Sequence, residues 1–342
     1  MIVFSIVYID VKKRVERIGM EKIRYGIIST AKIVPRFVAG INESEYSYAY
    51  AIGSRDIAKA KTYSERLNIP HYYGSYREVY EDPKVDIVYI ATYNGGHYQC
   101  ILDALEHSKH VLCEKPLCLT AKQVQEVFLL AKEKNLFLME AQKAAFLPVT
   151  MEIKKRLQSG DIGEVQWINI INSHISHKRG EWFKSIEKGG GTLWGGGSYP
   201  LEFLMVVFEQ KLNQVSGALS IVPPEPDNGA VLNLKMKENI LASIFVTKDI
   251  QKNSRAEIYG SKGRLIIPNY WKTNQYVVEK DGEHFKKELP MQSEFVYEID
   301  LVNELLRSKK TVSPIMTPEI TFSAISIIEG VYRQELGEDR KI

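Results

Sequence analysis

The sequence predicts an α/β protein: an N-terminal doubly wound (Rossmann) parallel sheet, then a C-terminal α+β domain with a mostly antiparallel open sheet. Three observations carry this. Between Ile23 and Ala141, short apolar runs alternate with amphipathic segments, the pattern of a parallel sheet covered on both faces. After Pro148 strand-like runs follow one another with few helices between them. Finally, the apolar run of "HVLCEKPLC" (110–118) breaks into two charges and a proline, and a charge at the end of a core strand must be solvated, paired or used; Lys115 as a surface lysine paired with Glu114 is the plain alternative.

The elements follow in order. "IRYGIIS" (23–29), "YSYAYAIGS" (46–54), "VDIVYIAT" (85–92), "HVLCEK" (110–115) and "LFLMEA" (136–141) read as strands. "RDIAKAKTYSERLN" (55–68) and "TAKQVQEVFLLAKEKN" (120–135) read as helices, the second opening on Thr120 as N-cap. "TMEIKKRLQSG" is a helix closed by Gly160. "VQWINIINSH", "AVLNLKM", "ILASIFVTK", "AEIYGSKGRLIIP" and "QYVVEK" are strand-like, with a turn at "SKG". Helices near 294–308 and 317–335 end the chain and are expected to pack back on the first domain. The expected division is 20–147 for dinucleotide binding and 148–342 for substrate and self-association. Residues 1–19 read as an upstream-start artefact or a dispensable extension, because their charges follow the apolar run instead of preceding it.

The 342 residues are enough for two cores. With 44% hydrophobic and 25% charged residues, and a net charge of +3 without a basic block, nothing calls for nucleic acid or an anionic membrane. No apolar run approaches the roughly eighteen residues of a membrane span. The three cysteines, Cys100, Cys113 and Cys118, are odd in number and lack zinc-site spacing. A metal-free site in a reduced, cytoplasmic setting is the expectation.

The first strand leads into "GIISTAKIVPRF". The three glycines of a dinucleotide fingerprint would fall on Ser29, Ala31 and Val34, and all are missing. Small Ser29 and Ala31, with Thr30 between them, still let the backbone turn and approach a pyrophosphate at a helix start, although an ordinary strand-to-helix turn fits the same residues. The second strand ends in "AIGSRD". Ser54 and Arg55 suit a 2′-phosphate and favour NADP over NAD, with NAD left open; a solvated first-turn arginine is the plain alternative. The third ends in "ATYNGGHYQC", which puts Thr92, Asn94 and His97 at the carboxyl edge of the sheet, where such folds bind ligands.

A strand–turn–helix start, then "SRD", "N-x-x-H" and "EKP" at these intervals, resembles the glucose–fructose oxidoreductase/inositol dehydrogenase (Gfo/Idh/MocA) family from about Lys22 to the C-terminus. "GSYREVYEDPKVDIVYIAT" and "VLCEKP…FLMEA" resemble its dimeric dihydrodiol dehydrogenase branch. The resemblance implies that Lys115 lies beside nicotinamide and the substrate oxygen, with Glu114 in the cofactor site and Pro116 often cis. It implies Tyr199 as the second catalytic residue, at the end of the family's D-x-x-x-[HY] element. There the lysine's charge is expected to lower the tyrosine pKa, so that Tyr199 accepts the hydroxyl proton in oxidation, the two residues titrating as a coupled pair.

Two departures stand out. The family's aspartate position is Gly195, and Lys143 and Ala145 replace a tryptophan and an arginine of the dihydrodiol branch. Lys143, Trp194 and His174 are the candidate substrate contacts, with His177 and Trp182 near the same cleft. The expected activity is NADP(H)-dependent hydride transfer at a secondary alcohol or carbonyl of a sugar, polyol or cyclic diol, in a homodimer or homotetramer associated through the second-domain sheet. A nicotinamide-assisted glycosidase or lyase, and a non-catalytic sensor on the same fold, are the rivals.

Overall fold

The computed structural model describes residues 21–173 and 180–337. The extension at 1–19 and the candidates His174 and His177 lie outside the described residues.

Six parallel strands form the first sheet: β1 (Ile23–Ile28), β2 (Ser47–Gly53), β3 (His71–Tyr73), β4 (Ile87–Ile90), β5 (His110–Glu114) and β6 (Leu138–Ala141), in the order β3-β2-β1-β4-β5-β6. This is the doubly wound arrangement, its order reversing between β1 and β4. Helices α1 (Val34–Glu43), α2 (Ile57–Leu67), α3 (Tyr76–Glu81), α4 (His97–Glu106) and α5 (Ala121–Glu133) cover its two faces. Local chemistry sets their starts. Asp56 caps α2 through the N–H groups of Ala58 and Lys59, Ser75 caps α3, and Thr120 caps α5 through Gln123 N–H at 3.1 Å. The central strands β1, β4 and β5 are buried on both faces, which explains their unbroken apolar runs.

Helix α6 (Pro148–Gln158) leads to β7 (Val165–Ser173), then to α7 (Thr192–Gly196) and α8 (Ser198–Phe208). The second sheet adds β8 (Asn213–Ser220), β9 (Gly229–Lys235), β10 (Leu241–Thr247), β11 (Arg255–Gly260), β12 (Gly263–Pro268), β13 (Gln275–Lys280) and β14 (Glu283–Glu288). Its order is β14-β13-β12-β11-β7-β10-β9-β8, antiparallel except for the β7–β10 pair. Ile168, Ile170, Ile244 and Ile258 face inward beneath α8 and the last helices, while Trp167 and Leu241 face outward.

The closing helices are α9 (Val296–Arg307) and α10 (Pro318–Leu336). Both return to the first sheet's helices. Phe295, at the N-cap of α9, and Ile299 pack on Gly40 of α1, and Glu329 of α10 accepts the Ala121 N–H of α5 at 2.7 Å. Among the described residues no helix is long and apolar enough to cross a membrane.

Candidate active site

The carboxyl ends of β1, β2, β4 and β5 bring the predicted residues to one edge. After β1 the chain turns at Ser29, whose φ is +100° and whose N–H donates to Gly53 O at 3.0 Å. This is the fingerprint's first glycine position, and a side chain there carries strain of roughly 1–3 kcal/mol. The turn thus keeps the backbone shape that a glycine would supply. Helix α1 then starts with no side-chain cap, and Pro35 stands in its first turn. Val34 N–H turns back to Ala31 O and Arg36 N–H to Ile33 O, both at 3.0 Å, so the backbone left to meet a phosphate at the positive end of the helix is that of the turn before it.

At the end of β2, Arg55 is exposed, and Ser54 is buried with its hydroxyl accepting the Asp56 N–H at 3.2 Å. The one carboxylate of "SRD" is spent as the cap of α2. Tyr76, absent from the sequence reading, completes this end. Burial raises its phenol pKa, while hydrogen bonds to Arg55 and Ser29 act the other way. An uncapped helix start, a glycine-like turn and a guanidinium without a competing carboxylate fit a phosphorylated dinucleotide.

Asn94 and His97, expected as cofactor contacts, are each held by bonds within the protein. Asn94 is buried, and its amide donates to Gly189 O at 2.8 Å. Gly189 has φ +73°, and a Cβ there would run into Asn94. This pins the Gly-rich segment before α7 against the edge of the first sheet. His97 is also buried. Its Nδ1 lies 2.8 Å from Pro116 O and its Nε2 3.3 Å from Thr92 O. Burial lowers its pKa to about 4. The neutral ring has a single N–H, which the shorter contact assigns to Nδ1, donating to the Pro116 carbonyl. His97 therefore clamps the turn that carries Lys115.

The unfolded imidazole gains its proton near pH 6.5, whereas the folded one gains it only near 4. Wild-type stability should therefore be full above pH 6.5 and fall by about 3 kcal/mol as pH drops to 4. Asparagine can still donate to Pro116 O. His97→Asn should flatten that part of the urea-midpoint-against-pH curve, and an unchanged slope would refute the assignment.

Lys115 follows β5, and its peptide bond to Pro116 is cis. Its ammonium donates to Gly195 O at 2.7 Å and lies 4.9 Å from the Tyr199 ring centroid. The Lys115 charge is therefore hydrogen-bonded to a backbone carbonyl at the very position where the family places aspartate. Glu114 accepts the Tyr89 hydroxyl at 2.6 Å. Helix α7, which presents Gly195, is held by buried Asp227, whose carboxylate accepts the N–H groups of Thr192 and Leu193 at 3.0 and 2.9 Å and the Tyr332 hydroxyl. Gly191, φ +114°, leaves room for that carboxylate, since a Cβ would collide with it.

Three expectations need correction. The Tyr199 phenol is not lowered: burial, then the charges of Glu114 and Glu298, push it well above its usual value. Lys115 sits over the ring face, and the two carboxylates dominate. Trp194 is no pocket wall; it is fully buried and stacked on Tyr332, centroids 5.5 Å apart. Lys143 is turned into the protein, contacting Glu294, which Arg36 shares, and lying 4.9 Å from the Phe295 ring centroid. Burial and the charge of Arg36 lower its pKa to about 7, against Glu114 and Glu298. Two partly buried tryptophans stand nearby instead: Trp271, its ring centroid 6.3 Å from that of Tyr199, and Trp182, 6.4 Å from that of Tyr93. Trp271 was readable only as part of "NYWK", a turn after β12 with no helical or strand period to place it. Among the described residues no group of three or more His, Cys, Asp or Glu forms a metal cluster.

The oxidoreductase family with an NAD-binding Rossmann fold matches residues 23–142, and the GFO/IDH/MocA C-terminal domain matches residues 150–266. The chain belongs to this family. Trans-1,2-dihydrobenzene-1,2-diol dehydrogenase from Xenopus tropicalis is 30% identical over 328 residues, covering 91% of this chain and 97% of the relative. A mutant form of a 3-ketoreductase from Actinomadura kijaniata, in complex with TDP-benzene and NADP, superposes with TM-score 0.84 at 25% identity, covering 91% and 97% of the two chains. Aldose-aldose oxidoreductase from Caulobacter crescentus, complexed with glycerol, has the same fold, with TM-score 0.84 at 22% identity over 92% and 97%. This Gfo/Idh/MocA protein is an NAD(P)-dependent oxidoreductase acting on hydroxyl or carbonyl groups.

Proposed function

We propose that this enzyme prefers NADP(H) and interconverts a secondary alcohol and its carbonyl in a cyclic diol or carbohydrate-like substrate, with Lys115 and Tyr199 as the reacting pair. The observation that carries the reading is the placement of the Lys115 ammonium between Gly195 O and the Tyr199 ring. The bound nicotinamide supplies or accepts the hydride. Ser29, Thr30 and Ala31 would hold its pyrophosphate, Ser54 and Arg55 its 2′-phosphate, and Thr92 and Glu114 its nicotinamide end. Lys115 stabilises the charge that develops on the substrate oxygen. Tyr199, its phenol pKa held above the usual value by burial and two carboxylates, is set to donate to a carbonyl oxygen in reduction. Trp271 and Trp182 present aromatic faces suited to a ring-shaped substrate. The relatives that act on a diol and a ketone support this substrate class.

The outer face of the second sheet supports self-association, as a homodimer or homotetramer. Trp167 stacks on Tyr259 at 4.9 Å, and Val231 and Leu241 beside them are 43% and 54% exposed, a patch that self-association would cover.

Calorimetric titration with NADPH and NADH tests the cofactor choice. NADPH should bind the wild type more tightly. Arg55→Ala should weaken NADPH at least about tenfold and leave NADH nearly unchanged, since a charge-assisted bond to the 2′-phosphate contributes ~1.5–3 kcal/mol. Equal affinities in the wild type would remove the 2′-phosphate argument and leave the fold untouched.

A further inference from the structure

Close in the chain to Lys115 and Tyr199 stands a pair of carboxyl groups with no surface to reach. Glu140, on β6, is 1% exposed, and Glu202, on α8, is fully buried. Glu202 stands one helical turn after Tyr199, on the same side of α8. Glu140 accepts the Leu117 N–H at 3.0 Å, two residues after Lys115. Glu202 accepts the Gln142 amide. Each carboxyl has one oxygen without a hydrogen-bond partner among the described residues, and each acts on the other, with the Thr321 hydroxyl also beside Glu140. Two carboxylates cannot share such a site, because their repulsion adds to the cost of desolvating each one. One proton between them turns facing acceptors into a donor and an acceptor. The field agrees: burial raises both carboxyls, and the charge acting the other way on both is the Lys115 ammonium. One cation balances one anion, so the second carboxyl keeps its proton.

We propose that Glu140 and Glu202 form a proton-sharing carboxyl pair that positions Lys115 and Tyr199 for turnover. The pair ties the turn after β5 to helix α8, and so joins the two reacting side chains across the sheet–helix junction. Neither carboxyl touches the reacting atoms; both act as positioning residues. The inference rests on the reading of Lys115 and Tyr199 as the reacting pair.

The test uses the full chain, trans-cyclohexane-1,2-diol with NADP as probe, and infrared difference spectra at neutral pH. The wild type should show the carbonyl stretch of a protonated carboxylic acid that disappears in both Glu140→Gln and Glu202→Gln. Each amide then donates to the remaining carboxylate, so these variants should keep most of the turnover. Bands from other buried acids cancel in the difference. Glu202→Leu, or Glu202→Ser if leucine does not fold, should lower kcat about 10²-fold with KM and NADPH affinity within threefold, the signature of misplacement by an ångström or so. Absence of the band, wild-type turnover in Glu202→Leu, or an equal loss of NADPH affinity would overturn the proposal. A wild type that binds NADPH but turns over no diol or carbonyl would instead refute the proposed function. Crystals of Glu202→Leu would still decide the pair: retention of the Lys115–Gly195 contact would overturn its positioning role, and loss would uphold it.

Discussion

Replacing Lys115 with methionine is expected to lower kcat by about three orders of magnitude while leaving NADPH affinity within a few-fold. Methionine keeps most of the length of the side chain and removes only the charge, so the change isolates the ammonium. Two losses combine. Removing a preorganised donor aimed at a developing oxyanion costs ~10²–10³ in kcat, and disturbing the proton-transfer partner beside it adds to that. The contact to Gly195 O also explains why the absent aspartate need not abolish chemistry. A carboxylate at residue 195 would orient the lysine through charge; the peptide carbonyl orients it through a neutral hydrogen bond of 2.7 Å. Arginine should not restore activity, because its planar fork cannot occupy the same point beside the Tyr199 ring. Stopped-flow turnover alongside calorimetry checks this. A methionine variant within tenfold of wild-type kcat would remove Lys115 from the chemistry.

The parts of the fold that the sequence conveyed were those buried on both faces. The five strands expected between Ile23 and Ala141 are present, but β3 (His71–Tyr73) was not foreseen. Nor were β8 (Asn213–Ser220) and β14 (Glu283–Glu288). All three are edge strands, and β14 is exposed along its whole length. An edge strand buries little, so its side chains need not alternate, and its pairing is set by the backbone of its neighbour. The site was legible to a similar depth. Lys115 and Tyr199 stand side by side from segments 84 residues apart in the chain (199 − 115 = 84). The missing fingerprint glycine misleads a pattern search, because what the site requires is the φ of +100° at Ser29, not the residue type. Trp194 was misplaced because an aromatic residue in a Gly-rich segment looks the same in sequence whether it faces a cleft or, as here, Tyr332. Burial also reversed the expected Tyr199 shift. A charge four or five ångströms from a ring is easily inferred from a motif, but the desolvation of the phenol, and the carboxylates that face it from β5 and α9, belong to the tertiary structure.

That reversal makes Tyr199→Phe the most informative single change after Lys115. Phenylalanine keeps the ring under the Lys115 ammonium and beside Trp271, so packing survives and only the hydroxyl goes. The expected result is a fall in kcat of ~10²–10³-fold, the scale of losing one positioned acid or base, with NADPH binding unchanged. The pH profile of the wild type separates the two directions. Burial and the charges of Glu114 and Glu298 hold the phenol pKa well above 10, so Tyr199 keeps its proton throughout the neutral range. As the acid in carbonyl reduction it is in the required state already, and kcat should be flat from about pH 6 to 9. As the base in alcohol oxidation it must first ionise, and kcat should climb with pH across the same interval, by up to about tenfold per unit while the ionised fraction is small. Both profiles should lose this contrast in Tyr199→Phe. An oxidation rate that levels off near pH 7 in the wild type would point to a base other than Tyr199.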